Sequence, residues 1–233
     1  MTSSFLNGLK LGALGLTVAL GLGSSGLAKE QLNFVVIFTD DQGYGDMSCN
    51  GHPTIHTPHL DRMAQQGQKW TQFYSSAPVC TPSRAALMTG RLPVRSGMAS
   101  SKRVVLFPDS AGGLPQSEIT VAEVLKGAGY KTAMVGKWHL GMNPKKDGPI
   151  QRGFDDFYGT MTGAGSFWDP YTLTRNTEPA VPDGEKYYYT DKIGVEAVRQ
   201  IENFAKSDKP FFQYVAFTAA HWPMHAPEKS INK

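Results

Sequence analysis

From Asn33 to Thr39 the chain reads N-F-V-V-I-F-T, a short apolar, β-branched run that predicts a buried strand of the kind found in parallel sheets. Thr57 to Gly67 carries the marks of a helix. Thr57 is a natural N-cap, Pro58 suits the first helical position, and Gly67 follows the end. Leu60, Met63 and Ala64 form its apolar stripe, expected in the core. Lys69 to Tyr74 predicts a short strand leading to a second helix. In that helix Pro82 sits in the first turn, Ala85 to Met88 are good helix formers, and Gly90 is the stop, which leaves Cys80 just outside the N-terminus. Thr120 and Glu123 make a capping box for a helix reaching about Gly127. Tyr130 to Val135 is the next strand, and Thr190 to Lys206 an amphipathic helix. Its buried face is expected to hold Ile193, Ala197, Val198, Ile201, Phe204 and Ala205. Pro210 to Phe217 predicts another buried strand. Strands alternating with helices define an α/β domain with a largely parallel sheet between helix layers.

Two connections are long. Arg91 to Gln116 is broken by Pro93, Gly97, Pro108, Gly112, Gly113 and Pro115, and connections of that length often border a site. Gly163 to Pro182 is loop-like and aromatic, and is expected to line a substrate.

Composition narrows the class. The 233 residues are 40% hydrophobic and 18% charged, which is ordinary globular usage. The formal charge of +3 and the lack of a basic run exclude a nucleic-acid footprint. Residues 1–28 read as a secretory signal: Lys10, an apolar run from Leu11 to Leu22, and small residues around Gly26-Leu27-Ala28. An uncleaved anchor is the alternative, but the run is short and glycine-rich, so no stable membrane insertion is expected after cleavage. The mature chain, 29–233, is then periplasmic or secreted. That compartment permits a bridge between the two cysteines, Cys49 and Cys80.

The candidate chemistry lies where strands end. Asp40-Asp41-Gln42-Gly43-Tyr44-Gly45-Asp46 follows the first strand, and ligands in open α/β sheets bind beyond such carboxyl ends. Adjacent Asp40 and Asp41 suit either a hard divalent cation or a solvated turn. His52, His56 and His59 invite zinc, but Pro53 and Pro58 break the helix that would align them and no fourth ligand has the right spacing. At Cys80 the helix start favours an anion, and Arg84, one turn on, adds a forked cation. Lys137 and His139 fall on one face if the strand before them continues. His221 follows the last strand, whereas His225, separated from it by Pro223, has no role assigned.

Taken together, C-T-P-S-R-A-A-L-M-T-G-R at Cys80–Arg91, D-D-Q-G-Y-G-D at Asp40–Asp46, G-K-W-H-L-G at Gly136–Gly141 and H-W-P at His221–Pro223 resemble the motifs of type I sulfatases, the arylsulfatase A-like branch in particular. The resemblance covers nearly all of residues 33–225. It implies an alkaline-phosphatase-like fold and hydrolysis of a sulfate monoester. It implies that a modifying enzyme oxidises Cys80 to formylglycine, whose hydrate is the nucleophile. Asp40, Asp41 and the modified Cys80 become ligands of a divalent metal, calcium first and magnesium second. Arg84 and Lys137 bind the sulfate, His221 is the general acid, and His139 is the base that releases sulfate. The family's remaining metal ligands, an Asp-Asn pair, and a further substrate lysine lie downstream of its matching part, and no Asp-Asn dipeptide occurs here. A phosphonate or phosphate monoester hydrolase of the same superfamily, or a catalytically incomplete N-terminal part, are the alternatives.

Overall fold

The computed structural model describes residues 31–100 and 104–231, so the signal expected over 1–28 lies outside the described residues. A six-stranded sheet forms the middle of the domain. Its strands are β1 (Phe34–Phe38), β2 (Lys131–Lys137), β3 (Asp156–Thr160), β4 (Leu173–Arg175), β5 (Glu178–Pro179) and β6 (Phe211–Ala216), arranged β1-β6-β2-β3-β4-β5. The first four strands in that order are parallel, and β4 and β5 add an antiparallel border. The helices are α1 (Pro58–Gln66), α2 (Cys80–Thr89), α3 (Val121–Gly127), α4 (Tyr189–Phe204) and α5 (Glu228–Ile231).

Side-chain alternation along the central strands makes two cores. Met134, Phe157 and Tyr214 face one way, onto Ala85 and Met88 of α2 and Ala122 of α3. Val135, Tyr158 and Val215 face the other way, onto Ile193 and Ala197 of α4. The sheet therefore lies between helix layers, as the alternation of elements predicted. The capping box closes on α3: Thr120 Oγ1 accepts from Glu123 N at 3.1 Å, and the Glu123 carboxylate accepts from Thr120 N at 2.7 Å.

Several expectations are corrected. β1 is parallel but not buried: among the described residues it is the sheet's outer strand, paired with β6 alone, and Phe34, Val35 and Ile37 are 43%, 47% and 49% exposed. Lys69–Tyr74 has strand-like residues but forms no strand, and Trp70, Phe73 and Tyr74 stand exposed. A β pattern needs a ladder partner, and this segment has none among the described residues. α1 starts at Pro58 and ends before Gly67 as expected, but Thr57 makes no side-chain capping bond, and no residue of α1 is fully buried, with Met63 exposed. On α4 the buried face is rotated from the expected stripe: Glu196 and Gln200 go inward and Val198 outward. Glu196 can do so because Arg175 and Arg199 both reach its carboxylate. Gly163–Pro182 is not wholly loop, since it holds the β4–β5 hairpin.

Candidate active site

Strand register gathers the site. Phe38 of β1 and Gly136 of β2 both pair with Ala216 of β6, so three parallel strands end at one level. Asp40 lies two residues past that level on one side, and Lys137 one residue past it on the other. Asp40 N donates to Ala219 O at 3.0 Å, which ties the acidic turn to the segment leaving β6. The close approach requires a glycine at 136: its φ is 102°, and an added Cβ would lie 1.9 Å from the Ala216 carbonyl oxygen.

Across the end of β6, Lys137 Nζ forms a buried ion pair with Asp40 Oδ2. Arg84, on α2, brings its Nη2 to 3.6 Å from the same oxygen. Its Nη1 donates to the Lys137 carbonyl at 2.7 Å and to the Tyr214 hydroxyl at 3.3 Å, and its guanidinium lies over the Phe38 ring at 5.4 Å. Lys137 is 0% and Arg84 1% exposed. Two buried cations thus share one carboxylate, a local excess of one positive charge. Burial, then the neighbouring Arg84, pushes the Lys137 ammonium below its ordinary value, while Asp40 opposes the shift. Arg84 Nε and Nη2 donate no hydrogen bond among the described residues, an unusual state for buried donors.

Cys80 is the first residue of α2 rather than the one before it; the N-cap is Val79. It lines a cleft of about 350 Å³ with Asp40, Asp41, Gln42 and Ser83. Both cysteines are free, so the Cys49–Cys80 bridge is not formed. Cys49 belongs to another knot, where its N–H and the Ser48 hydroxyl donate to Asp61 at 2.8 and 2.6 Å.

His139 does not share a strand face with Lys137. β2 ends at Lys137, and His139 takes a left-handed φ of 57° that turns its ring inward. Its Nε2 donates to the Leu106 carbonyl at 2.7 Å, and its Nδ1 has no hydrogen-bond partner among the described residues. Burial, followed by the nearby Lys137, depresses its pKa to about 3, so the ring is neutral at ordinary pH. Gly163 packs on it so closely that a Cβ there would sit 2.2 Å from Cε1. His221 faces the acidic turn, with Nε2 3.6 Å from Asp41 Oδ2, while its Nδ1 donates to Trp222 O at 2.6 Å. His225 is structural: its Nδ1 accepts from Phe167 N at 3.3 Å, and its ring stacks on Trp168. Asp46 caps the turn after β1, accepting from Gly43 N at 2.7 Å.

Asp40 and Asp41 present hard oxygens, but Asp40 is engaged by Lys137 and Arg84. Among the described residues no three His, Cys, Asp or Glu side chains are grouped to hold a metal ion. Two carboxylates fit a hard cation only as part of its six to eight oxygen ligands, so no step below runs through a metal. Sequence reasoning missed Thr81, Leu106 and Tyr214, whose roles are long-range hydrogen bonds that no local spacing signals.

The fold and site define an α/β protein with a cationic cluster and a helix-borne cysteine beyond the carboxyl ends of parallel strands, the place where such sheets bind anions. The chain belongs to the sulfatase family: the Sulfatase family model matches residues 32–233. It is similar to human arylsulfatase A, 41% identical over 220 residues, covering 82% of this chain and 41% of that protein. It is also similar to mouse steryl-sulfatase, 49% identical over 161 residues, covering 63% of this chain and 26% of that protein. Among solved structures it resembles Ps i-CgsB in complex with k-i-k-neocarrahexaose, with a TM-score of 0.79 and 30% identity over 87% of this chain and 48% of that one. A member of the alkaline phosphatase superfamily from Vibrio parahaemolyticus shares the fold, with a TM-score of 0.54. The chain thus spans less than half the length of these relatives. No described helix is long and apolar enough to cross a membrane.

Proposed function

We propose that this chain is the N-terminal part, residues 29–233 behind a signal at 1–28, of a periplasmic or secreted enzyme that hydrolyses a small-molecule or carbohydrate sulfate monoester to an alcohol or phenol and sulfate. The observation that carries the reading is Cys80 at a helix start, in a cleft beside the buried Arg84–Lys137–Asp40 cluster with its spare positive charge. The hydrate of formylglycine, the aldehyde that a modifying enzyme would make from Cys80, would supply the attacking hydroxyl and the second hydroxyl through which sulfate is released and the aldehyde reformed. Arg84 and Lys137 offset the charge of the sulfate oxygens, the electrostatic share of catalysis. His221, partly buried and beside Asp41, protonates the departing alcohol oxygen. His139, held neutral, accepts a proton at Nδ1 when sulfate leaves. Asp40, Asp41 and the modified Cys80 would be ligands of calcium, or of magnesium.

Mass spectrometry of the tryptic peptide from Trp70 to Arg84, taken from the protein as its host makes it, tests the first requirement. The Cys80 sulfur is expected to be replaced by a carbonyl oxygen. An unmodified thiol throughout, in a host with the modifying enzyme, sinks the reading. Turnover of an aryl sulfate in preference to the matching aryl phosphonate tests the second, and the reverse preference assigns the site to phosphonates.

A further inference from the structure

His139 is held by a closed loop of hydrogen bonds that starts beside the nucleophile. Thr81, the residue after Cys80, is fully buried on α2. Its Oγ1 donates to the His139 carbonyl at 3.3 Å and accepts from Leu106 N at 3.1 Å. Leu106 belongs to the long Arg91–Gln116 connection, and its own carbonyl accepts from His139 Nε2 at 2.7 Å. Thr81, Leu106 and His139 therefore close a triangle through three elements far apart in sequence.

A carbonyl oxygen can only accept, so the nitrogen facing it must carry hydrogen. A neutral ring bonded this way has hydrogen on Nε2 and a lone pair on Nδ1. Gly163, tight against Cε1, blocks a simple ring displacement on that side. The Arg91–Gln116 connection would be a poor clamp if it moved, but it is pinned on its far side as well. Arg152 donates to the Leu114 carbonyl at 3.0 Å and also to that of Glu118.

We propose that Thr81 is a positioning residue for the sulfatase reaction: by holding the Leu106 peptide against the His139 backbone, its hydroxyl sets the Nδ1-bare tautomer that lets His139 act as the base. This rests on the function proposed above, but the tautomer is a property of the chain itself. Thr81→Val keeps the shape and removes the hydroxyl, leaving Leu106 N–H and His139 C=O unpaired, while Thr81→Ser keeps the hydroxyl.

The test uses the full polypeptide as its host makes it, labelled with ¹⁵N at histidine, with the His139 signal identified by its loss in His139→Asn. The wild type is expected to show protonated Nε2 and bare Nδ1 between about pH 5 and 8. In Thr81→Val, Nδ1–H should appear and kcat should fall roughly 30-fold, a partial loss of the roughly 10²–10⁴-fold that a well-placed acid–base group contributes, with KM moving by less than about 3-fold. Thr81→Ser should return the tautomer and most of kcat. Nδ1–H in the wild type overturns the proposal, and needs no variant that might fail to fold. Wild-type tautomer and kcat in Thr81→Val overturn it too. A wild type without sulfatase activity whose bare Nδ1 is nevertheless lost in Thr81→Val would support the positioning and overturn only the assigned reaction.

Discussion

Lys137 sets its ammonium on the Asp40 carboxylate across the end of β6, joining two strands that do not touch each other. The pair is buried and lopsided, because Arg84 lies on the same oxygen. Removing the carboxylate leaves two buried cations with no counter-charge. Removing the lysine leaves Asp40 with Arg84. Asp40→Asn should therefore destabilise by about 3–5 kcal/mol, the usual cost of stranding a buried charge, and Lys137→Met by clearly less. Urea unfolding of the two variants decides, and the reverse order would show that the pair is not organised around Asp40.

His139 makes stability depend on acid. In the unfolded chain a histidine protonates near 6.5, whereas in the fold it resists until about 3. Between those values the unfolded state binds more protons, so stability falls as pH drops through 6.5 towards 3. The contribution approaches about 1.4 kcal/mol per pH unit within the window. Unfolding free energies at several pH values, compared with His139→Gln, should show a shallower decline in the variant. Parallel lines would mean that the native imidazole accepts a proton as readily as the unfolded one.

Gly136 is the point where the three site strands are pressed together. Its φ of 102° and the Ala216 carbonyl 1.9 Å from a would-be Cβ leave no room for alanine. Gly136→Ala should cost more than about 3 kcal/mol or abolish soluble expression, since both strain and displacement of a central ladder are involved. Near-wild-type melting would show that β2 and β6 can part without disturbing the core.

The legible part of this molecule was what local chemistry dictates. Pro58 and Gly67 bracket α1, although Thr57 before them makes no side-chain capping bond, Gly90 ends α2 with φ of 64°, and Thr120 with Glu123 opens α3, because such signals act within a turn. The candidate site was read from motifs at strand ends, since parallel strands deliver their following residues to one edge. What escaped was burial and long-range contact. The run at Phe34–Phe38 reads as core, but burial depends on a second neighbour that no local pattern reveals. The His139 ring was expected on the Lys137 face because a strand was extended by two residues. The left-handed φ that turns it to Leu106 depends on a connection more than thirty residues upstream.

The same exposed strand sets the behaviour of residues 29–233 made alone. β1 pairs on one side only, and among the described residues its other edge has no partner. Phe34, Val35 and Ile37 stand half exposed there, and Trp70, Phe73 and Tyr74 add further apolar surface. An open, apolar edge with no charge to blunt it is a template for pairing with another chain. The isolated segment should therefore elute as large oligomers or precipitate. Val35→Lys with Ile37→Lys should move it toward monomer, because charge on an edge disfavours edge-to-edge addition. Size-exclusion chromatography with light scattering reads both. A monodisperse wild-type segment that melts cooperatively would sink the prediction. If the double-lysine segment aggregates as the wild type does, the cause lies in the other exposed aromatics and not in the β1 edge.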